Sequence, residues 1–355
     1  MPIVANTALP SFQRFQQEGG DVLTPAQARS QKSRELHIGL MNMMPDAALE
    51  PTERQFLRLV GACNSSAQFF VYPFSPSEIP REHWAQEHIS RHYFEFEGLK
   101  TAGLDALIVS GANPVFTTLP EESFWAPLCA VLDWASAQVT STLCACLATH
   151  AALLYFHGIE RQRLPAKRWG IFSHRVSQDH PLVRNIDSCF DVPHSRWNEI
   201  TLAQMTNAGL QVLIDSDDAG VHLATSADGF RFIFFQGHPE YDHNSLLKEY
   251  KREVNRYHAG ETANYPPYPD RYFSKRDQKL LDDYAEIVKS QRTRGALLEA
   301  GNFPENDLRV NNTWRDTGEM IFSNWLGTVY QITDHDRRKP FIKGINPNQP
   351  LAQIV

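Results

Sequence analysis

Short apolar segments of strand length alternate with longer segments of helical pattern through the first 160 residues. Four of the apolar segments are ELHIGLMNMM (35–44), AQFFVYPF (67–74), LDALIVSGA (104–112) and VTSTLCA (139–145). The last of them leads directly into LATHAALLYFHG, which predicts a helix that ends at Gly158. Strands that alternate with helices build a parallel sheet covered on both faces. An α/β fold is therefore predicted for this part of the chain.

Two helix starts are marked by side chains that cap a first turn. In PDAALEPTERQFLRLVG, Thr52 and Gln55 have the spacing of a capping box, and Gly61 stands where the helix should end. Further along the chain, Ser274 and Asp277 have the same spacing at the start of a polar helix.

The pattern changes after residue 200, where three apolar segments follow one another closely. LQVLIDS, AGVHLAT and FRFIFFQ are separated by turn residues such as Ala-Asp-Gly, which predicts hairpins. A helix is predicted from about 244 to 258. Combined with the first half of the chain, these segments predict a mostly parallel, mixed sheet with helices on both faces.

Two stretches differ from this main pattern. Residues 1–34 are polar and have no clear period, so we interpret them as an N-terminal arm. Residues 259–313 begin with the Pro- and Tyr-rich GETANYPPYPDRYFS and continue with a polar helix, which indicates a C-terminal helical insertion. We expect residues 35–355 to form a single α/β domain that carries this insertion.

Composition indicates a globular protein with no nucleic-acid or membrane partner. The 34 Lys and Arg against 41 Asp and Glu give a net charge of −7, which opposes binding to nucleic acid or an anionic membrane. The five cysteines are too sparse for a disulfide framework and are typical of a reducing compartment. No run reaches 18 apolar residues, and the N-terminus has no signal-peptide pattern. We therefore expect a cytoplasmic protein without a membrane span, and we predict no metal site.

One of two neighbouring cysteines stands at a strand-to-helix junction. Such a turn projects a nucleophile from the sheet edge and places helix N–H groups beside it. The tight turn favours small residues two positions before and after the nucleophile. Cys146 has Cys144 and Ala148 at those positions, whereas Cys144 would lie further back inside the strand. Cys146 is therefore the preferred nucleophile, and a buried structural role is the alternative for either thiol.

A thiol needs a base to act as a nucleophile at neutral pH. His238 in FRFIFFQGHPEYD directly follows an apolar strand and a glycine, so it should also lie at the carboxyl edge of the sheet. Glu240 follows two residues later across a stiff proline, where its carboxylate can orient the imidazole and stabilise its charged form.

These features resemble the class I glutamine amidotransferase-like fold. In more detail, the chain resembles the homoserine O-acyltransferases of methionine biosynthesis, which are usually called homoserine O-succinyltransferases. The resemblance covers about residues 36–258 and 314–333 in the family's order. The matching stretches are NMMP, TERQFLRLVG, ALIVSGA, LDWASAQVTSTL, GIFSHRV, PHSRWNE, QGHPEYD and FSNWLGTVYQIT.

The resemblance implies a ping-pong acyl transfer, the first committed step of methionine biosynthesis, with acyl-CoA as co-substrate and no bound cofactor. The family's nucleophile falls on Cys146, its histidine on His238 and its glutamate on Glu240. The family's substrate-pocket residues fall on Lys167, Ser195 and Arg252. The resemblance also implies a homodimer that acts on small molecules.

Two further roles complete the predicted site. We expect the backbone N–H groups of Leu147 and Ala112 to form the oxyanion hole, where each donor is typically worth about 3 kcal/mol. Val115 occupies the loop position where the family's succinyl users tend to have glycine and its acetyl users glutamate. Valine neither repels a succinyl carboxylate nor makes obvious room for it, so the donor stays open, with succinyl-CoA slightly favoured over acetyl-CoA.

Other functions remain as alternatives at this point. The same mechanism could acylate serine, because serine differs from homoserine by one methylene, worth only about 1–3 kcal/mol in a pocket. The fold could also serve a cysteine hydrolase or a glutaminase. A scaffold that only binds a partner is a third class, and the complete Cys/His/Glu set argues against it.

Overall fold

One mixed sheet runs through the whole molecule in the computed structural model, which describes residues 2–63, 67–294 and 303–354. Within those residues the sheet has eleven strands in the order β2-β1-β4-β3-β5-β6-β11-β10-β9-β7-β8. The strands are β1 (Ile3–Val4), β2 (Val22–Leu23), β3 (Arg34–Met41), β4 (Ala67–Phe74), β5 (Ala106–Val109), β6 (Ser141–Ala145), β7 (Gln162–Val176), β8 (Cys189–Glu199), β9 (Gln211–Asp215), β10 (Leu223–Thr225) and β11 (Phe232–Phe235).

The sheet divides into a parallel and an antiparallel part. From β2 to β11 in the spatial order every neighbouring pair is parallel, and from β11 to β8 every pair is antiparallel. The prediction of a mostly parallel, mixed sheet is confirmed, and so are the hairpins after residue 200. β6 and β11 are parallel neighbours, so their carboxyl ends meet at one edge.

Helices cover both faces of the sheet, as predicted. The helices are α1 (Pro10–Gln17), α2 (Pro25–Ser30), α3 (Leu49–Gly61), α4 (His83–His92), α5 (Phe96–Ala102), α6 (Trp125–Gln138), α7 (Leu147–His157), α8 (Leu202–Asn207), α9 (Ser245–His258), α10 (Lys275–Arg294) and α11 (Arg315–Ile332). Apolar side chains of α1, α3 and α11 form the core on one face, and those of α5, α6, α7 and α8 form the core on the other. None of the described helices has the length and apolar character needed to cross a bilayer.

The N-terminal residues, predicted to form an arm, are built into the sheet. β1 pairs with β4 and with β2, and both pairings are parallel. Phe12 and Phe15 of α1 are buried against the same core as α3. Strands of two residues carry too little alternation to be recognised in a sequence, although the surrounding contacts hold them in place.

Helix α3 begins earlier than its predicted cap. Its first residue is Leu49, and Thr52 lies inside the first turn, so the predicted capping box at Thr52 is wrong. The earlier start allows Leu49 to be fully buried in the core. The helix ends at Gly61, as predicted. The other predicted cap is confirmed, because Ser274 Oγ accepts the N–H of Asp277 at 3.2 Å.

The insertion packs against the antiparallel part of the sheet. Trp169 and Ile171 of β7 share a third apolar cluster with buried residues of α9 and α10. Gly170 makes the closest approach, since a Cβ there would lie 2.3 Å from the backbone nitrogen of Asp270. The predicted helix of the insertion is present as α10, and residues 295–302 of the insertion lie outside the described residues.

Candidate active site

The junction between β6 and α7 holds Cys146 in an unusual backbone conformation. Its φ is 51° and its ψ −108°, a region that costs a non-glycine residue about 1–3 kcal/mol. The Cys146 N–H donates to the carbonyl of Phe235 on the neighbouring strand β11 at 2.7 Å. The Thr149 hydroxyl lies 2.8 Å from the carbonyl of Cys144 and 2.9 Å from that of Phe235. These bonds fix the turn and project the Cys146 side chain from the sheet edge.

The two neighbouring cysteines have different surroundings. Cys144 is fully buried in the apolar core, and burial raises the pKa of its thiol far above the ordinary value. Cys146 is only partly buried and stands at the N-terminus of α7. The structure therefore leaves Cys146 as the accessible thiol of the pair.

His238 and Glu240 lie just beyond the end of β11, beside this junction. His238 donates from Nδ1 to Glu240 Oε1 at 2.7 Å, and both side chains are buried. Nε2 has no nitrogen or oxygen partner among the described residues, which leaves it for Cys146, with which the ring interacts. Burial alone would lower the pKa of His238. The charges of Cys146 and, next, of Glu240 outweigh burial and hold that pKa well above its usual range.

A cluster of buried histidines packs against Gly237, the residue before His238. A Cβ at Gly237 would lie 2.7 Å from His222 Nδ1 and 2.9 Å from His194 Nε2, so only glycine fits before His238. His174 donates from Nδ1 to a backbone carbonyl at 2.9 Å, and its Nε2 therefore accepts from His194 at 3.2 Å. Burial lowers the pKa of His194 and His222 well below the usual value and that of His174 to about 4. The cluster is thus neutral and adds no positive charge beneath His238.

The residues predicted to supply the oxyanion donors, Leu147 and Ala112, lie on the two segments that meet at the β6–α7 junction. Leu147 is the first residue of α7, and among the described residues its N–H and that of Ala112 donate no hydrogen bond. A Cβ built on Gly111, the residue before Ala112, would lie 3.7 Å from the Cys146 Cβ. The loop after β5 and the first turn of α7 therefore come close together at Cys146, and the role of these two N–H groups as oxyanion donors stays a prediction.

Three side chains converge on a buried carboxylate that was not among the predicted site residues. Glu249 accepts hydrogen bonds from Lys167 at 3.0 Å, from Ser195 at 2.6 Å and from the Tyr241 hydroxyl at 2.7 Å. The Lys167 charge and the two hydroxyls outweigh burial and lower the pKa of Glu249. Glu249 lies three residues after the buried Leu246 of α9. An acidic residue on the apolar face of a predicted helix is the one feature of the sequence that indicates it.

The family model of homoserine O-succinyltransferase matches residues 2–335 of the chain. The chain belongs to this family. A homoserine O-succinyltransferase from Methylobacter tundripaludum is 55% identical over 355 residues, which cover 99% of this chain and 100% of the relative. One from Methylococcus capsulatus is also 55% identical and covers 99% of both chains. The protein is accordingly an acyltransferase.

Glutamine amidotransferases are among the solved structures that are similar to this chain. One from Thermotoga maritima covers 83% of this chain and 97% of its own, with 8% identity and a TM-score of 0.45. One from Methylobacillus flagellatus covers 83% of this chain and 95% of its own, with 12% identity and a TM-score of 0.45.

Two further residues predicted for this homoserine O-succinyltransferase family member, Arg252 and Val115, have exposed side chains. Arg252 is on α9, one turn after Glu249, and its exposed guanidinium contacts Glu253 at 3.2 Å. Val115 is 85% exposed in the loop after β5. The structure thus brings Lys167 and Ser195 together, whereas Arg252 and Val115 point to solvent.

Proposed function

We propose that the protein transfers the succinyl group of succinyl-CoA to the side-chain hydroxyl of homoserine, through a thioester on Cys146. The reaction would be the first committed step of methionine biosynthesis. The observation that carries this proposal is the meeting of two adjacent strand ends, with Cys146 on one and the His238–Glu240 pair on the other. Membership in the homoserine O-succinyltransferase family supports both substrates.

The first half-reaction acylates the enzyme. Cys146 Sγ attacks the carbonyl carbon of the acyl-CoA thioester, and the oxyanion forms between the Leu147 and Ala112 N–H groups. The bond to the CoA sulfur then breaks, and CoA leaves as a thiol with the proton of His238 Nε2. A raised His238 pKa suits this step, because the imidazolium is the form that has a proton to give.

The second half-reaction returns the enzyme to its starting state. The homoserine hydroxyl gives its proton to His238 Nε2 while its oxygen attacks the acyl-enzyme carbonyl. The bond between that carbonyl and Cys146 breaks, and the sulfur leaves as a thiolate beside the imidazolium. Glu240 keeps its hydrogen bond to Nδ1 throughout and so holds the ring in one orientation.

The acceptor pocket is proposed to form around Glu249. A buried carboxylate with three donors offers a site for the α-ammonium group of the acceptor, and Lys167 and Ser195 hold that carboxylate in place. Arg252 follows Glu249 by one helical turn and can pair with the α-carboxylate. The two charges would then bind the two ends of the amino-acid backbone and leave its hydroxyl for His238.

A substrate grid tests the proposal directly. CoA release is measured with succinyl-CoA or acetyl-CoA against homoserine, serine or no acceptor. Succinyl-CoA alone should release no more than one equivalent of CoA per enzyme, and we expect continued turnover only with succinyl-CoA and homoserine together. Continued release without an acceptor would instead indicate a hydrolase, and faster turnover with serine or acetyl-CoA would correct the substrate assignment.

Intact-mass spectrometry tests the covalent intermediate. After a brief incubation with succinyl-CoA alone, the protein should gain the mass of one succinyl group. Cys146→Ala should remove this adduct and all turnover, whereas Cys144→Ala should keep most of both. Normal turnover with no adduct would show direct transfer between the substrates.

We further propose, from the family resemblance, that the enzyme is a cytoplasmic homodimer. Sedimentation of the purified protein measures the native mass, and a monomer at working concentration would contradict the dimer. Fractionation of the producing cells tests the compartment.

A further inference from the structure

Arg58 on α3 holds the backbone of the segment that follows β11. Its Nη2 donates a hydrogen bond to the carbonyl of Glu240 at 2.8 Å. Its Nη1 pairs with the carboxylate of Asp242, two residues further along the chain. A single guanidinium thus bridges two points of this segment, and one of them is the residue whose carboxylate contacts His238.

Different parts of the fold hold the neighbouring residues of the segment. The His238 N–H donates to a backbone carbonyl of β8 at 2.8 Å. On the other side, the indole nitrogen of Trp314 donates to the carbonyl of Tyr241 at 2.9 Å. Glu240 lies between these two anchors, and Arg58 is the side chain that holds its carbonyl in the described part of the chain.

The carboxylate of Glu240 depends on this backbone contact for its position. Its Oε1 accepts from His238 Nδ1 at 2.7 Å, whereas its Oε2 has no hydrogen-bond partner among the described residues. The position of the carboxylate therefore follows from where the main chain of Glu240 lies. A shift of that main chain would carry the carboxylate with it and change the orientation of the imidazole toward Cys146.

Helix α3 provides a rigid support for Arg58. The residues on either side of it, Leu57 and Leu59, are buried in the core. Gln55, one turn earlier, donates from Nε2 to the hydroxyl of Ser245 at 3.1 Å, where α9 begins. The same helix therefore contacts both the His238–Glu240 pair and the helix that carries the proposed acceptor pocket.

We propose that Arg58 is a positioning residue of the reaction, which acts through Glu240 to keep the His238 imidazole oriented toward Cys146. This inference rests on the proposed function, in which His238 transfers a proton in both half-reactions. In this assignment Arg58 touches neither the substrates nor the thiol. Its effect on the rate is therefore indirect and requires the Glu240 carboxylate.

The arrangement requires an arginine for geometric reasons. A guanidinium is a planar fork that donates to two acceptors at once, whereas the ammonium of lysine is a compact charge on a flexible stem. Asp242 balances the positive charge, so Arg58 contributes geometry to the site more than it contributes charge. Both side chains of this ion pair are 23% exposed, and pairs that water reaches contribute little to stability. Loss of Arg58 should therefore leave the fold intact.

A double-mutant cycle on the acylation rate tests the proposal. The burst of CoA release with succinyl-CoA measures this rate. We expect Arg58→Gln to slow the burst about 10- to 100-fold, the range for a small misplacement of a catalytic group. In the Glu240→Ala background the same change should cost less than about twofold, because the carboxylate through which Arg58 acts is gone. Arg58→Lys can reach only one of the two acceptors, so it should recover part of the rate.

Arg54→Gln is the matched control, since Arg54 lies one turn earlier on α3 and has no ion pair within the described residues. It should leave the burst unchanged. A parent-like burst in Arg58→Gln would overturn the proposal. An equal loss in the parent and Glu240→Ala backgrounds would also overturn it, because a purely structural contact acts independently of the carboxylate.

Urea denaturation separates positioning from stability. Arg58→Gln and Arg58→Lys should both unfold at a urea concentration close to that of the parent enzyme. If both variants have lost their fold, the ion pair is structural and the proposal is wrong. If the parent enzyme itself gives neither a burst nor a succinyl adduct, the proposed function fails instead, so the two failures are distinguishable.

Discussion

The ring of Tyr241 stacks on the imidazole of His238, with centroids 4.2 Å apart and planes inclined by 20°. The hydroxyl of the same tyrosine donates to Glu249 at 2.7 Å. One side chain therefore joins the proposed catalytic base to the carboxylate of the proposed acceptor pocket. Its ring and its hydroxyl have separate partners, so substitutions can separate their contributions.

Tyr241→Phe should weaken the binding of homoserine and leave the acylation of the enzyme by succinyl-CoA unchanged. The stack on His238 remains, while Glu249 loses one of its three donors and the KM for homoserine should rise about 10-fold. The burst of CoA release that reports acylation should be unchanged. Tyr241→Leu removes the stack as well and should slow the burst. A slowed burst in Tyr241→Phe would contradict this division of roles.

The pKa of His238 should depend on the neighbouring thiol. Cys146 is the larger of the two charges that raise this pKa, and Glu240 is the second. In Cys146→Ala the pKa should therefore fall, so that the imidazolium loses its proton at a lower pH than in the parent enzyme. NMR titration of 15N-labelled histidine measures this shift. Cys144→Ala is the control and should leave the His238 titration unchanged. If the pKa of His238 in Cys146→Ala equals that in the parent enzyme, the pairing of His238 with Cys146 is disproved.

Gly237→Ala should disrupt the site through packing alone. The added methyl would lie 2.6 Å from Val192 Cγ1 and 2.7 Å from His222 Nδ1, both in the buried interior. Overpacking of this kind typically lowers the free energy of unfolding by about 1–3 kcal/mol. Chemical denaturation and CoA release should both show the loss. Gly98→Ala in α5 is the matched control, because nothing lies within 4 Å of its new methyl.

Acid should destabilise the fold through the histidine cluster. His174 accepts from His194, which in turn accepts the Arg196 Nε–H at 3.3 Å, so an added proton breaks this chain. The folded pKa of His174 is lowered to about 4, and the free histidine pKa is about 6.5. The contribution to stability is therefore complete above about pH 6.5 and is lost as the pH falls toward 4.

Urea denaturation at several pH values measures this effect. Each such histidine should lower the free energy of unfolding by up to about 1.4 kcal/mol per pH unit within that window. His174→Phe should reduce the slope, although it also changes stability at neutral pH. The exposed His83→Gln should keep the parent slope. A stability that is constant between pH 7 and pH 5 would contradict the prediction.

The sequence predicted those parts of the site that depend on local order along the chain. A strand that ends just before Cys146, and another that ends shortly before Gly237 and His238, can each be recognised within about ten residues. Parallel pairing of their strands then requires the two ends to meet. Glu249 could not be assigned in this way, because two of its partners, Lys167 and Ser195, come from strands far away in the chain and only the folded chain brings them together.

The long hairpin of β7 and β8 was also missed as a pair of strands. Their register shifts between Arg163 and Arg168, around Pro165, which interrupts the alternation that marks a strand. The motifs GIFSHRV and PHSRWNE were recognised only through the family resemblance. Contacts with β9 and with the insertion stabilise the hairpin, and such long-range contacts leave little trace in a local pattern.

The placement of β11 between β6 and β10 has a consequence for synthesis of the protein. The ribosome completes Cys146 some ninety residues before His238, whose strand must still enter the middle of the sheet. Until then the Phe235 carbonyl, which accepts the N–H of Cys146, is absent, and so is His238, the proposed base. In the proposed mechanism, the nascent chain therefore carries a cysteine without its base until β11 is inserted between β6 and β10.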